Sequence, residues 1–289
     1  KEFPAVAVIV AETTQLTIYD GDDPDLSMWM VFNSGDAGGY TGPHINIASP
    51  AILTAVAALN GEIVITCDST GSYPFGSLQI NFLKDRSLIR PDLGGKESLT
   101  GIAKRNETGS YSTTYTYPAL VNMFANDVAM TVLPNAPVDS STGLPVPTIA
   151  VATDGGVSVI KDDGNVYDLT YNSGSVVGYL VEFDGAEGIF WSGYSPFGNG
   201  QSIYLYWNKT LPSADDSSAP DARYASNANV LFDLGTKSGN FGYNSLSISD
   251  AIAAGASNGL FLIDQKEDSP TNGMTLQQTS SFNTGWMHG

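Results

Sequence analysis

Residues 149–169 constrain the fold more strongly than any other stretch of the sequence. They consist of the segment IAVATDGGVSVIKDDGNVYDL, in which three short runs rich in β-branched residues are separated by two turn signals. The signals are Asp-Gly-Gly at residues 154–156 and Asp-Gly at residues 163–164, where glycine accepts the positive φ that tight hairpin loops need. Runs joined in this way predict an antiparallel β-meander.

The meander pattern recurs along the chain in a frame of about 47 residues. Copies are predicted at residues 8–18, 55–65 and 102–111, and, with a spacing that stretches downstream, at residues 180–191 and 252–264. Such a period with several strands per unit is typical of β-propellers. We therefore predict an all-β chain that forms a β-propeller of about six blades, with five or seven as alternatives, each an antiparallel meander of about 47–52 residues.

This frame also predicts the organisation of the domain. We expect one β-propeller domain spanning residues 1–289, which is a piece of a longer multidomain chain because it starts at Lys1 without a methionine. Residues 51–59 are rich in helix-favouring alanine and leucine, but the frame predicts a strand there. Closure of the propeller further predicts that residues 5–10 lie beside residues 260–263.

Charge excludes two classes of partner. The formal net charge is −18, from 30 acidic and 12 basic residues, so the surface repels phosphate backbones and anionic membranes. The basic cluster of Lys84, Arg86 and Arg90 is too small for a phosphate track and is predicted to be a solvated strand end. The sequence contains no apolar run of about 18 residues, so no membrane insertion is predicted. Cys67, the single cysteine, is expected to be a small buried side chain.

The acidic stretch at residues 20–25 is the candidate metal site. Asp20, Asp22 and Asp25 are spaced carboxylates, and oxygen ligands of this kind suit Ca²⁺. The sequence lacks the glutamate that completes a calcium-binding EF-hand loop, and Asp, Gly and Pro are also the residues of an ordinary turn. The turn is the favoured interpretation, with Ca²⁺ kept as the alternative and no other cofactor predicted.

No catalytic constellation is evident in the sequence. It lacks a nucleophile elbow, a zinc-binding helix motif, a P-loop and a dinucleotide-binding glycine motif, so we predict a protein without enzymatic activity and assign no catalytic residue. Ligand-binding residues are not identified either. Aromatic loops at residues 73–75 and 194–197 could offer platforms for sugars, although packing against neighbouring blades is the favoured interpretation.

Two stretches carry a resemblance to a known class of protein. Residues 126–137 and 142–164 resemble a run in large virion proteins of tailed phages of marine bacteria, and residues 283–289 resemble a junction in the same proteins. The resemblance implies a tail-appendage or other virion protein, and it implies no catalytic or binding residue.

Taken together, these patterns predict a non-enzymatic virion structural module. We expect it to act as a rigid scaffold and in host-surface attachment, located in the virion or outside the cell. Its expected partners are other virion subunits or cell-surface glycans, with no nucleic acid and no membrane insertion. The alternative is an extracellular propeller that binds carbohydrate or processes glycosides.

Overall fold

The structure is a computed structural model. It describes residues 3–12, 15–33, 51–69, 76–106, 112, 114–140, 142–171, 176–185, 187–195 and 202–225, and four strands between residues 245 and 279. Within these residues the chain is all-β and forms five antiparallel sheets, here named I to V in chain order. This confirms the prediction of an all-β chain.

The strands of each sheet follow one another in chain order, as in a meander. Sheet I contains β1 (Ala7–Ala11), β2 (Gln15–Asp20) and β3 (Met28–Asn33). Sheet II contains β4 (Ala51–Leu59), β5 (Glu62–Ser69), β6 (Ser77–Asn81), β7 (Arg86–Arg90) and β8 (Lys96–Glu97). Sheet III contains β9 (Ala125–Thr131), β10 (Thr148–Thr153), β11 (Gly156–Ile160) and β12 (Val166–Leu169).

The last two sheets have four strands each. Sheet IV contains β13 (Val177–Phe183), β14 (Ile189–Ser195), β15 (Ser202–Asn208) and β16 (Ala222–Ala225). Sheet V contains β17 (Ser245–Ile248), β18 (Ile252–Ala256), β19 (Gly259–Asp264) and β20 (Met274–Thr279). Among the described residues, no helix is both long enough and apolar enough to span a bilayer.

The meander predicted over residues 149–169 is confirmed as β10, β11 and β12. Thr153 pairs with Gly156, which leaves a two-residue loop between the first two strands. Gly156 has a φ of 127°, and a Cβ atom there would lie 2.2 Å from the carbonyl oxygen of Leu169. Glycine is therefore required at this position both by backbone conformation and by space.

Four of the predicted copies are hairpins in the structure, and one is not. Residues 8–18, 55–65, 180–191 and 252–264 each contain two paired strands, and residues 51–59 form a strand as predicted. The copy at residues 102–111 is wrong, because Ile102–Lys104 is a 3-10 helix.

Local capping explains this exception. The backbone N–H of Ile102 donates to Oδ1 of Asp85 at 2.7 Å, and the N–H of Lys104 donates to the carbonyl oxygen of Gly101. Residues 107–111 of this copy lie outside the described residues, and residues 112 and 114–117 are irregular apart from one bridge at Tyr117. The first strands of the five sheets are unevenly spaced, so the constant frame does not hold.

Neighbouring sheets pack face to face in chain order. On sheet II, the side chains of Ile63 and Ile65 enter a core shared with Leu16 and Ile18 of sheet I. Val64, which points to the other face, enters a core shared with sheet III. Because adjacent residues of a strand point to opposite faces, sheet II is covered on both sides. Cys67 lies in the first of these cores with 0% exposure, which confirms its predicted burial.

Sheet III is likewise covered on both sides. Ile149 and Val151 face sheet II, whereas Ala150 and Ala152 face sheet IV. On sheet IV this second core is completed by large side chains that include Val181, Trp191 and Tyr206, and the last two stack with ring centroids 4.3 Å apart. The order of stacking therefore follows the order of the chain from sheet I to sheet IV.

The first strands of neighbouring sheets lie against one another. β4 contacts β9, β9 contacts β13, and β13 contacts β17. Three of these strands contain a β-bulge near their start, at Thr54, Asn126 and Tyr179. Bulges re-aim a side chain out of the regular ladder.

Two of the bulge residues make the same contact with the next sheet. Oγ1 of Thr54 donates to the carbonyl oxygen of Ala125 at 2.8 Å. Nδ2 of Asn126 donates to the carbonyl oxygen of Gly178, also at 2.8 Å. In each case the acceptor is the residue immediately before the bulge residue of the following first strand. The same hydrogen bond between sheets thus occurs at two junctions, once from a threonine and once from an asparagine.

Asp127 adds a second link between sheets III and IV. Its Oδ2 accepts a hydrogen bond from the backbone N–H of Val181 at 2.9 Å. Burial raises the pKa of Asp127 from 3.8 to about 6, although hydrogen bonds from the Val181 and Val128 backbones oppose this. The ionised form of this carboxyl is therefore held at a cost in the folded protein.

The contact predicted to close the propeller is not found among the described residues. β1 packs against β4, and alternate valines on its other face are open. Val6, Val8 and Val10 are 55%, 41% and 39% exposed. On β1, therefore, one face is covered and the valine face is exposed in the described part of the chain.

Replacing Thr54 with valine should weaken the junction of sheets II and III. The substitution keeps the shape of the side chain but removes the donor to Ala125, so we expect the free energy of unfolding to fall by about 1 kcal/mol. Denaturant titration measures this change. Thr116→Val, at an exposed threonine, is the matched control and should have no effect. Equal effects of the two substitutions would contradict the assigned contact.

Asp127→Asn should stabilise the protein near neutral pH. The folded state binds the Asp127 proton more tightly than the unfolded chain, so this carboxyl lowers stability as pH rises from about 4 to about 6. Asparagine keeps an acceptor for Val181 and removes the charge. We expect a gain on the order of 1 kcal/mol at pH 7.5 that shrinks at pH 4.5, measured by thermal unfolding at both values. A loss of stability at pH 7.5 that disappears at pH 4.5 would show that the carboxylate itself is needed.

Candidate functional site

A polar cleft of about 280 Å³ opens between sheet II and the segment that connects β9 to β10. Its floor is the face of sheet II that carries Glu62, Gln79 and Arg90. Its walls come from residues 142–147 of the connection and from the turn at residues 161–164 in sheet III. The cleft is thus assembled from two stacked sheets and lies on their side away from the first strands.

The wall formed by the connection is held in a fixed position. Asp139 and Leu144 are joined by a backbone hydrogen bond of 2.9 Å, and Val138 bridges to Pro145. Two contacts tie this wall to sheet II: Nζ of Lys84 lies 2.7 Å from Oδ2 of Asp139, and Nδ2 of Asn60 donates to the carbonyl oxygen of Pro145 at 2.8 Å. The connection between β9 and β10 is therefore an ordered part of the cleft.

The turn between β4 and β5 brings Glu62 to the floor. Asn60 and Gly61 both have positive φ, 50° and 74°, as a two-residue hairpin loop requires. Glu62 follows directly and is only 6% exposed. Its Oε1 accepts a hydrogen bond from Nε2 of Gln79 on the neighbouring strand β6. A carboxyl group is thus buried at the start of β5 with an amide donor beside it.

Glu62 and Arg90 form the electrostatic centre of the cleft. Burial raises the pKa of Glu62, while the hydrogen bond from Gln79 and the nearby cations oppose the shift. Burial lowers the pKa of Arg90 to about 10, while the charge of Glu62 raises it. Each group therefore loses hydration and regains part of that loss from the opposite charge.

The other cations of the floor are paired as well. Lys84 has Asp139 as its partner, and Nη1 of Arg86 lies 3.7 Å from Oε1 of Glu97. Oη of Tyr117 donates to Oε2 of Glu97 at 2.8 Å. The described side chains that line the cleft therefore include both acidic and basic groups, without a continuous positive surface.

Three polar atoms on this face of sheet II have no hydrogen-bond partner in the described part of the chain. They are Oγ of Ser77, Oε1 of Gln79 and Nε of Arg90. Ser77 and Arg90 are paired across β6 and β7, and Gln79 lies two residues farther along the same face. Arg90 is only 3% exposed, and its Nη1 donates to the carbonyl oxygen of Pro118 at 3.1 Å.

The sequence did not identify this site. The basic cluster was predicted to be a solvated strand end, which is wrong for Arg90 because its side chain is buried between sheets. Glu62 and Gln79 were not singled out at all. A usable signal was present, since a strand that alternates polar and apolar residues on a face covered by another sheet must bury those polar groups.

The structure uses the candidate metal residues in turns. Oδ2 of Asp22 accepts from the backbone N–H groups of Ala5 and Val6 at 3.0 and 3.1 Å, and Oδ1 of Asp20 accepts from the N–H of Asp22 at 3.2 Å. Asp25 donates its own N–H to Asp23. Among the described residues, no group of three acidic, histidine or cysteine side chains is placed to hold a metal ion. Calcium binding at Asp20, Asp22 and Asp25 stays a prediction.

The aromatic loops fall largely outside the part of the chain that is described. Residues 73–75 and 196–197 lie outside it, and residues 194–195 are the end of β14. The proposal that they carry sugar platforms stays untested.

A double-mutant cycle tests the electrostatic coupling of Glu62 with Arg90. Arg90→Met removes the hydrogen bond to Pro118 and a cation that acts on Glu62, so the free energy of unfolding should fall by roughly 1–3 kcal/mol. Glu62→Gln should cost less in the Arg90→Met protein than in the unaltered chain, because the carboxylate has then lost one of its stabilising charges. Chemical denaturation at pH 7 measures all four proteins. Strictly additive losses would show that the two groups do not stabilise each other.

Comparison with protein-family models found no match, and comparison with curated proteins found none either. Among solved structures, this chain is similar to a functionally unknown protein from Desulfotomaculum acetoxidans DSM 771, with 12% identity over 94% of this chain and 78% of that one and a TM-score of 0.39. A protein of unknown function from Bacteroides caccae matches with 10% identity over 91% of this chain and 84% of that one, with a TM-score of 0.32. At these TM-scores neither likeness carries an argument about fold or function.

Proposed function

We propose that this chain is a non-enzymatic structural module of a virion or another extracellular assembly, and that its sheets are the blades of a β-propeller. The observation that supports this architecture is the stacking of sheets I to IV in chain order, with sheets II and III each covered on both faces. In a propeller, every blade has a neighbour on each face, and the first strands gather around the central axis.

The contacts between first strands agree with this proposal. β4, β9, β13 and β17 touch in sequence, and the bulge hydrogen bonds from Thr54 and Asn126 repeat the same geometry at two junctions. A simple two-sheet sandwich would cover only one face of each sheet, so it does not account for sheets II and III.

Sheet V supplies the partner for the open face of sheet I. In β18 and β19, Ile252 pairs with Ile263 on one face of the sheet, and Ala253 pairs with Leu262 on the other face. Because apolar residues lie on both faces, both faces need cover. Sheet IV contacts sheet V through β13 and β17. In the closed propeller, the valine face of β1 lies against the other face of sheet V.

A closed ring of blades suits a rigid scaffold, because each blade is supported from both sides and only short, protected sheet edges remain. The resemblance of residues 126–137 and 142–164 to virion proteins of tailed phages supports placement in a virion. The partners that follow are other subunits of the assembly, or cell-surface glycans where the module touches a host.

Val8→Asp tests closure directly. If sheet V covers this face, a carboxylate placed there is buried without a partner, and the free energy of unfolding should fall by roughly 2 kcal/mol or more. Val138→Asp, at a valine that is 62% exposed, is the matched control and should cost little. Thermal and denaturant unfolding of both variants give the comparison. A harmless Val8→Asp would show that the face is open to solvent.

Immunogold electron microscopy tests the placement. Antibodies raised against the chain should label extracellular particles made by the cells that encode it, at one repeated position on each particle. Labelling confined to the cell interior would contradict the proposed role.

A further inference from the structure

We propose that the cleft on sheet II binds a neutral polyhydroxylated ligand, one sugar ring of a glycan being the fitting size, through Arg90 and Gln79. This site goes beyond the scaffold role and does not depend on closure of the propeller.

The charges of the cleft favour a neutral ligand over an anion. Lys84 is held by Asp139 at 2.7 Å, and Arg86 by Glu97 at 3.7 Å. The charge of Arg90 acts on buried Glu62. An anion entering the cleft would have to displace one of these acids or lie beside it, which costs electrostatic free energy in a partly buried site.

The buried atoms without hydrogen-bond partners on this face include both a donor and an acceptor. Gln79 and Arg90 both line the cleft, where Nε of Arg90 can only donate and Oε1 of Gln79 can only accept. A hydroxyl group both donates and accepts, so neighbouring hydroxyls of a sugar can meet a donor and an acceptor on one face. A phosphate or carboxylate offers acceptors alone and would leave Gln79 without a partner.

The rest of the cleft fits such a ligand in size and in apolar surface. A volume of about 280 Å³ is at the small end of ligand sites, which suits one ring better than an extended chain. Leu88, Leu144 and Pro145 supply apolar wall, and Tyr117 adds an aromatic ring. Sugar rings combine hydroxyl edges with C–H faces, so a site for them needs both kinds of surface.

The experiment is a titration of the whole chain with methyl glycosides of neutral hexoses, followed by saturation-transfer NMR and calorimetry. Inorganic phosphate and acetate form the anion arm, and neutral oligosaccharides form a third arm that shows whether a free ring or a glycan residue is preferred. We expect saturable binding of at least one neutral sugar and none of the anions.

Two variants assign that binding to the cleft. Leu144→Trp fills its mouth from a side chain that is 39% exposed, and Gln79→Met removes the acceptor on the floor with little change of shape. Each should weaken sugar binding by about tenfold or more. Leu93→Trp, at a residue that is 70% exposed and outside the cleft, should leave affinity unchanged. Melting curves identify any variant that fails to fold. If Gln79→Met fails to fold, Leu144→Trp alone assigns the binding to the cleft.

Three outcomes would overturn the proposal. They are no binding of any neutral sugar, binding that Leu144→Trp and Leu93→Trp affect equally, and binding of the anions in preference to the sugars.

Discussion

The contact between the first strands of neighbouring sheets is the constraint on which the rest of the structure depends. A bulge in β4 and another in β9 each turn a side chain out of the ladder and onto the backbone of the next sheet, Thr54 to Ala125 and Asn126 to Gly178. Each bond contributes about 1 kcal/mol, which is less than the roughly 1.5–3 kcal/mol gained by burying one large apolar side chain. Their role is therefore to fix the register in which the apolar cores meet.

That register explains why a polar cleft exists at all. Sheets II and III meet closely at β4 and β9, where alanines such as Ala55 and Ala57 allow a short distance. Farther out, the same face of sheet II presents Gln79 and Arg90, and the connection before β10 spans the gap as a wall. Burial of Glu62 and Arg90 costs hydration that an apolar floor would not, and the opposite charges offset part of this cost.

Much of the local structure could be predicted from the sequence. Turn chemistry placed the strands of residues 149–169 correctly, and the repeat frame correctly predicted a strand over residues 51–59 despite their helix propensity. The repeat frame was wrong at Ile102. Its backbone N–H donates to Oδ1 of Asp85, and the residue begins a 3-10 helix where a strand was predicted.

The repeat that does exist could not be predicted, because Thr54 and Asn126 fill equivalent positions at unequal spacing with different side chains. The cleft was missed for a similar reason. Its polar atoms come together only when two sheets stack, and no spacing within one strand reveals that contact.

The most direct test of this account is a crystal structure of the whole chain, with attention to what lies on the valine face of β1. The account predicts that sheet V covers Val6, Val8 and Val10, and that the bonds from Thr54 and Asn126 to the next sheet have donor–acceptor distances near 2.8 Å. Sheets stacked in another order, or a valine face open to solvent beside a distant sheet V, would contradict it.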